Sequence, residues 1–225
     1  MSIGVLSWGQ HKTLRNTLQS YETFGLNKLD EERIIFFQEI TDQDIQIADE
    51  FGYKAIGAET NIGIAQGYKR LVEESTSDLF LFLENDWLLL EDPSDQMFEA
   101  AELLRNEVVD VVRFRSRKYP GNPLWTRQYE GKEFDHSEFL LDSIHWTDPI
   151  KFFPFIRYEH DVYVTTSQYA NWTNNPTMFR TKWLRKNILP RIGDRDVEVD
   201  IQPWWETQAF AVAQGEGLFT HWRIG

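Results

Sequence analysis

Two carboxylates, Glu84 and Asp86, stand one residue apart at the end of Asp78-Leu-Phe-Leu-Phe-Leu-Glu-Asn-Asp86. Acids of this type and spacing hold a divalent cation, and a cation so held can grip a phosphate. The five apolar residues before them lack any polar alternation, so the segment predicts a central strand covered on both faces. Both acids, with Asn85 between them, then lie at its carboxyl end, the edge where open α/β sheets bind ligands. A solvated turn after a buried strand is the competing structural reading.

Such a strand needs neighbours, and the first half of the chain supplies them. Residues 3–7 predict a short strand, followed by Leu14, Leu18 and Tyr21 at helical spacing. A strand at 33–37, an acidic helix at 42–51 and a brief strand at 54–57 come next. After Asn61-Ile-Gly63, the residues Ala65, Tyr68, Leu71 and Val72 mark another amphipathic helix. Asp92-Pro93 predicts an N-cap with proline at the first helical position, opening a helix through residue 104 that leads to a strand at 108–114. This βαβαβαβ order predicts a mostly parallel, doubly wound sheet.

Beyond residue 116 the pattern loosens. Residues 117–155 predict long loops with a short antiparallel ribbon. Further on, Pro203 suits the first turn of a helix, Trp205, Ala209 and Val212 make its face, and Gly215 stops it. Seven of the nine tryptophans (Trp125, Trp146, Trp172, Trp183, Trp204, Trp205 and Trp222) fall in this aromatic-rich half. They can cover a sheet, or stack on the apolar faces of sugars. The expectation is one α/β domain over residues 1–225, with a regular half (1–115) and an irregular half (116–225).

Composition narrows the partners. A formal charge of −13 disfavours a nucleic-acid backbone, which needs a basic face. An anionic small ligand would need a metal or helix N-termini. The chain contains no cysteine, so disulfides and thiolate metal sites are absent, and the N-terminus lacks the regions of a secretory signal. A reducing, cytoplasmic setting is expected. No apolar run approaches the ~20 residues of a transmembrane helix.

Four segments together carry a resemblance: Val5-Leu-Ser-Trp8, Thr13-Leu-Arg-Asn-Thr-Leu-Gln-Ser-Tyr21, Asn61-Ile-Gly-Ile-Ala-Gln-Gly67 and Phe82-Leu-Glu-Asn-Asp86. They resemble the nucleotide-sugar half of a GT-A glycosyltransferase of the family 2 type, most clearly over residues 3–92. More narrowly, the chain is similar to small glycosyltransferases of large DNA viruses that decorate capsid proteins. The resemblance implies that the first strand and the Asn-x-Gly segment frame a nucleotide, and that the acid-x-acid motif binds manganese or magnesium on the diphosphate. Gly217-Leu-Phe-Thr-His221 resembles the element that returns a histidine to this metal.

The residues admit physical roles beside those implied ones. Asp86 is the main metal ligand expected; Glu84 binds directly, through water, or touches the ribose instead. Magnesium and manganese favour oxygen ligands, and manganese also accepts imidazole, so His221 tips the choice toward manganese; a partly buried histidine bonded to backbone is its structural alternative. His11, His136, His145 and His160 show no metal-binding spacing. Ser7 and Trp8 end the first strand, where a base or ribose can rest. Asn61, Gly63 and Gly67 lie where a loop enters a helix, so backbone N–H groups can approach ribose or phosphate. Lys69 and Arg70 can help neutralise a donor, although a solvated helix face explains both.

An inverting transfer also needs a base for the acceptor hydroxyl. Val197-Glu-Val-Asp-Ile-Gln-Pro-Trp-Trp-Glu206 resembles the acidic motif opening the acceptor-side helix of family 2 enzymes, with Glu198-x-Asp200 replacing their adjacent pair. Asp200 ranks first, Glu198 second and Glu206 third; acids complementing a helix dipole are the structural alternative. The combined expectation is an inverting, metal-dependent glycosyltransferase that moves a sugar from a nucleoside-diphosphate sugar, foremost a UDP-sugar, to a glycan or glycoprotein hydroxyl. A non-catalytic carbohydrate-binding module on such a scaffold and a metal-dependent nucleotidyltransferase are the alternatives.

Overall fold

The computed structural model describes residues 1–121, 128–129, 132–133, 156–194 and 196–222. The first half alternates as its apolar periods dictate: β1 (Ser2–Trp8), α1 (His11–Phe24), β2 (Glu32–Gln38), α2 (Asp42–Glu50), β3 (Lys54–Gly57), α3 (Gly63–Glu74), β4 (Leu79–Glu84), a short β5 (Trp87–Leu89) and α4 (Ser94–Arg105). Local chemistry sets the helix ends. Gly25, at φ 85°, ends α1 in the left-handed region that glycine tolerates. Thr41 and Asp44 form a reciprocal capping box at the start of α2. At α4, Asp92 Oδ1 accepts from both the N–H and the hydroxyl of Ser94.

The second half contributes β6 (Val111–Arg115), the ribbon β7 (Gln128–Tyr129) with β8 (Lys132–Glu133), β9 (Arg157–Glu159), β10 (Val162–Thr166), β11 (Thr177–Arg180), α5 (Thr181–Asn187), α6 (Val197–Trp205) and β12 (Ala211–His221). The antiparallel β7–β8 pair is the short ribbon expected there; the rest of 122–155 lies outside the described residues. Among the described residues one ten-stranded sheet runs β3-β2-β1-β4-β11-β6-β12-β10-β9, with β5 pairing on β12. Its β3-β2-β1-β4 part is parallel throughout.

Two sequence expectations need correction. The strand after α4 does not continue the parallel order beside β4: β11 inserts between β4 and β6, antiparallel to both. The helix expected to run from Pro203 to Gly215 starts and ends earlier. Asp196 caps it by accepting from the Glu198 N–H, and Pro203 falls near its end. Alanine and valine at 209–213 fit either period, but a place between β6 and β10 gives their backbone a ladder on both sides. Residues 211–221 are therefore a strand, and Gly217 (φ 79°) lies within the register shift between Gln214 and Phe219. A Cβ at Gly217 would come 2.2 Å from the Arg115 carbonyl oxygen.

Strand alternation divides the core between the two faces. Leu79, Leu81 and Leu83 of β4 join Ile3 and Val5 in packing with residues of α1, α2 and α4. Phe80 and Phe82 point to the opposite face, with α3, α5 and α6. Each of these two phenylalanines is at most 1% exposed, and burying one contributes roughly 1.5–3 kcal/mol. Cover on both faces explains why β4 is apolar until it leaves the sheet at Glu84. No helix among the described residues is long and apolar enough to cross a membrane.

Candidate functional site at the carboxyl edge of the sheet

Where β4 ends, backbone bonds fix the turn that follows. The Asn85 N–H donates to the Leu6 carbonyl (3.0 Å), and the Thr17 hydroxyl donates to the Asn85 carbonyl (2.8 Å). The Tyr21 hydroxyl donates to the Trp87 carbonyl (2.9 Å). Burial foremost, then Tyr53 and Asp86, holds this phenol well above its ordinary pKa. It therefore stays a donor, and the turn is fastened to both β1 and α1.

Asp86 and His221 meet on this turn. The final strand β12 pairs antiparallel with β5, setting His221 opposite Trp87, and the Trp222 N–H donates to the Asp86 carbonyl (2.7 Å). Imidazole Nε2 then lies 3.1 Å from Asp86 Oδ2, with the residues 7% and 8% exposed. The indole of Trp87 packs against the imidazole at 4.8 Å between centroids. From the other side, the Pro120 carbonyl accepts from the His221 N–H (3.3 Å) and from Arg115 Nε (3.0 Å). Gly121 bridges His221 at φ 74°, where a Cβ would come 2.0 Å from the His221 carbonyl oxygen.

Glu84 lies on the strand just before this turn. It is the last residue of β4, in register with Leu6, and strand alternation places it on the face of Phe80 and Phe82, toward α3. Among the described residues, no group of three His, Cys, Asp or Glu side chains is placed to hold a metal ion. Asp86 and His221 supply one carboxylate and one imidazole. That set fits a divalent cation whose remaining ligands are phosphate oxygens and water, as is common for magnesium-type sites.

The other expected ligand-binding residues line the same edge. Ser7 is buried, and its hydroxyl oxygen has no hydrogen-bond partner among the described residues. Trp8 next to it is 59% exposed, with its indole N–H donating to Glu39 Oε2 (2.9 Å). Asn61 Oδ1 accepts from the Gly63 N–H (2.8 Å), and Gly63 adopts φ 84°. Gly67 has a packing explanation, because a Cβ there would meet Leu6 Cδ1 at 2.6 Å and Gln38 Nε2 at 3.0 Å. Lys69 is half-buried, and Arg70 lies 3.9 Å from Glu73 on a solvated face.

Sequence reasoning missed Gln38. Ending the apolar run of β2, its buried amide accepts from the Ile62 N–H (2.8 Å) and donates to the Gly63 carbonyl (2.8 Å), so it shapes the loop entering α3. A polar residue closing an apolar strand was the available signal. His11 was set aside for want of metal spacing; its Nε2 pairs with buried Asp44 Oδ1 at 2.9 Å.

Tertiary contacts bring two of the three candidate bases to this edge. β11 begins beside the end of β4, Thr177 facing Phe82, and the Asn174 N–H just before it donates to Glu198 Oε1 (2.7 Å). Asp200 Oδ2 accepts from the Gly193 N–H (3.0 Å), while the Gly193 carbonyl accepts from Gln66 of α3 (2.9 Å). Glu206 sits exposed at the far end of α6 and accepts from Gln202 (3.4 Å). The structure does not bring it together with the other two.

The tryptophans divide as well. Trp172, Trp183 and Trp205 are buried in the core, and Trp205 donates to the Ala170 carbonyl (2.6 Å). Arg191 covers half-buried Trp204 at 3.8 Å from the ring centroid. Trp222 is half exposed beside Asp86; Trp125 and Trp146 lie outside the described residues, as do His136 and His145.

No family model matches the chain, and no curated protein matches it. Solved structures do. S. aureus TarS aligns over 99% of this chain and 36% of its own, at 15% identity and a TM-score of 0.64. TarS 1-349 aligns over 98% of this chain and 59% of its own, at 16% identity and the same score of 0.64. The complex of TarS 1-349 with UDP-GlcNAc aligns over 100% and 59%, at 16% identity and a TM-score of 0.61. The chain therefore spans between about a third and three-fifths of the proteins it resembles. Together with the sheet order, these alignments establish the GT-A fold for this α/β chain.

Proposed function

We propose that this chain is an inverting, metal-dependent glycosyltransferase that takes a sugar from a nucleoside-diphosphate donor, foremost a UDP-sugar, and delivers it to a hydroxyl of a glycan or glycoprotein. The observation that carries the proposal is the Asp86–His221 contact: the last strand returns an imidazole to the acid that follows the central strand. That a TarS structure holds UDP-GlcNAc on the same fold favours a nucleotide-sugar donor.

In this reading residues 1–115 bind the donor and residues 116–225 the acceptor. Asp86 and His221 hold a divalent cation, manganese before magnesium because of the imidazole. Glu84 binds it directly or through water, or contacts the ribose instead. When bound, that cation offsets the negative charge developing on the departing diphosphate. Exposed Trp8 provides a face for the base, with Ser7 at its side, while the loop from Asn61 through Gly63, held in shape by Gln38, lies beside the ribose and phosphate. Asn85 serves through its backbone, which fixes the turn between the two acids.

The reaction itself is a displacement at the anomeric carbon. The acceptor oxygen forms a bond to C1 as the bond from C1 to the diphosphate oxygen breaks, and the hydroxyl proton passes to a carboxylate. Asp200 is the base proposed, with Glu198 second and Glu206 third. Asp200 sits half-buried in the first turn of α6. A cytoplasmic setting belongs to the proposal and rests on the cysteine-free composition.

The test is product release from a panel of nucleoside-diphosphate sugars, with manganese and with chelator. Free UDP appearing only with manganese supports the reading. Pyrophosphate as product indicates a nucleotidyltransferase, and metal-independent glycan binding without release indicates a binding module.

A further inference from the structure

The edge of the sheet opposite the candidate site carries a second feature that the donor reading does not use. The segment before β4, the end of α4, the last residue of β11 and most of α5 line a cleft of about 610 Å³. Asp78 and Glu84 flank opposite ends of the six-residue β4, so roughly 20 Å separates this cleft from the carboxyl edge. Five cations, Arg105, Arg180, Lys182, Arg185 and Lys186, line it against two acids, Asp78 and Glu107. With Asp110, which pairs with Arg180, and Glu32, which accepts from Thr76, the acids around the cleft number four against its five cations, on a chain whose net charge is −13.

The five cations differ in what already satisfies them. Arg105 is paired with Asp78 (2.8 Å), and Arg180 with Asp110 (2.8 Å). Arg185 donates to the carbonyls of Val72, Glu73 and Ser75 at the end of α3. Those neutral acceptors orient the guanidinium and leave its charge uncancelled. Lys182 and Lys186 are exposed and pair with no acid among the described residues. An oriented arginine flanked by two lysines suits an anion with several phosphate oxygens, for which lysine acts as a point charge.

We propose that this cleft binds a phosphate-bearing anion through Lys182, Arg185 and Lys186, independently of the donor site. The phosphate can belong to a soluble polyphosphate or to a lipid headgroup, and the two sources are separable by experiment. Titration calorimetry with inorganic tripolyphosphate in chelator, at about 0.1 M salt, probes the soluble source. Cosedimentation with phosphatidylcholine vesicles, with and without phosphatidylserine, probes the lipid source.

Binding in either arm is expected, weakening steeply with salt. It should fall at least 10-fold in the K182E/K186E double variant, whose exposed positions spare the core. Manganese-dependent UDP binding should be unchanged in that variant, which separates this site from the other. Binding to tripolyphosphate alone assigns a soluble ligand, and binding to phosphatidylserine vesicles alone a headgroup. Absence of binding in both arms, or equal binding by the double variant, overturns the proposal.

Discussion

Asp86 and Asp200 are both acids at the carboxyl edge of the sheet, yet they are held very differently. Backbone hydrogen bonds from β1 and from the chain after β12 clamp the turn at Asp86, and its carboxylate is buried against His221. Asp200 is half-buried on the first turn of a short helix, and its carboxylate accepts from a loop N–H at Gly193. A cation needs ligands held to a few tenths of an ångström, which paired strands provide. A base must meet substrates that arrive and leave, which a partly open helix end permits. In the proposed function, a rigid metal ligand and an adaptable base thus share one edge of the fold.

Breaking the rigid side should have the largest effect. Asp86→Ala is expected to abolish the manganese-dependent part of UDP stabilisation in a thermal melt and to cut transfer by roughly 10³-fold or more. Equal UDP shifts with and without metal in the parent protein would remove the donor-site assignment. On the adaptable side, Asp200→Asn should lower kcat by roughly 10²-fold while UDP binding persists. Glu198→Gln and Glu206→Gln are its controls, and a selective collapse of Glu198→Gln would move the base there.

The strand that returns His221 offers a finer test of rigidity. His221→Ala should weaken manganese by on the order of 10-fold or more, and Gly121→Ala should do the same indirectly, since its new Cβ must displace the His221 backbone. Isothermal titration with manganese reads both; unchanged affinity in each would leave the Asp86–His221 contact a structural one.

Gly67 separates packing from ligand contact. Gly67→Ala should destabilise the protein by about 1–3 kcal/mol through overpacking against Leu6 and Gln38, with UDP affinity retained. Lost affinity at full stability would instead make Gly67 a ligand contact.

The smallest effect concerns the opposite edge. Hydrogen bonding from Arg105 holds Asp78 below its ordinary carboxylate pKa, with burial opposing. The pair contributes stability above that ordinary value, and the contribution fades as acid protonates Asp78 below about pH 4. Both side chains are about half exposed, so the Asp78→Asn loss at neutral pH should be about 0.2–1 kcal/mol. Chemical denaturation at pH 7 and pH 3 should show the difference shrinking in acid, and a constant difference would assign Asp78 no electrostatic role.

Much of the first half was legible because its information is local. The uninterrupted apolar run of β4 required cover on both faces, and that burial in turn put Glu84 and Asp86 at a strand end. The apolar spacing of α1 and α3, and the acidic run of α2, likewise marked helices that the structure contains. In the second half, local signals pointed elsewhere. Pro203 suggested a helix start, whereas Asp196 caps the helix and Pro203 lies near its end. Residues 211–221 became a strand because β6 and β10 offered a ladder on each side. Clustered tryptophans left open cover for the sheet or a sugar-stacking surface, and Trp172, Trp183 and Trp205 fill the core beneath the sheet.

By itself, then, the sequence determined the βα order of the first half and the carboxyl-edge position of Glu84 and Asp86, since apolar period acts over a few residues, while the candidacy of His221 came from the resemblance carried by residues 217–221. Tertiary structure alone decided that β11 runs backward between β4 and β6, that β12 pairs with β5 and so carries His221 to Asp86 from far along the chain, and that five cations gather at the opposite edge. Each of these depends on which backbone ladders close and which faces bury one another, and that is settled between segments far apart in sequence.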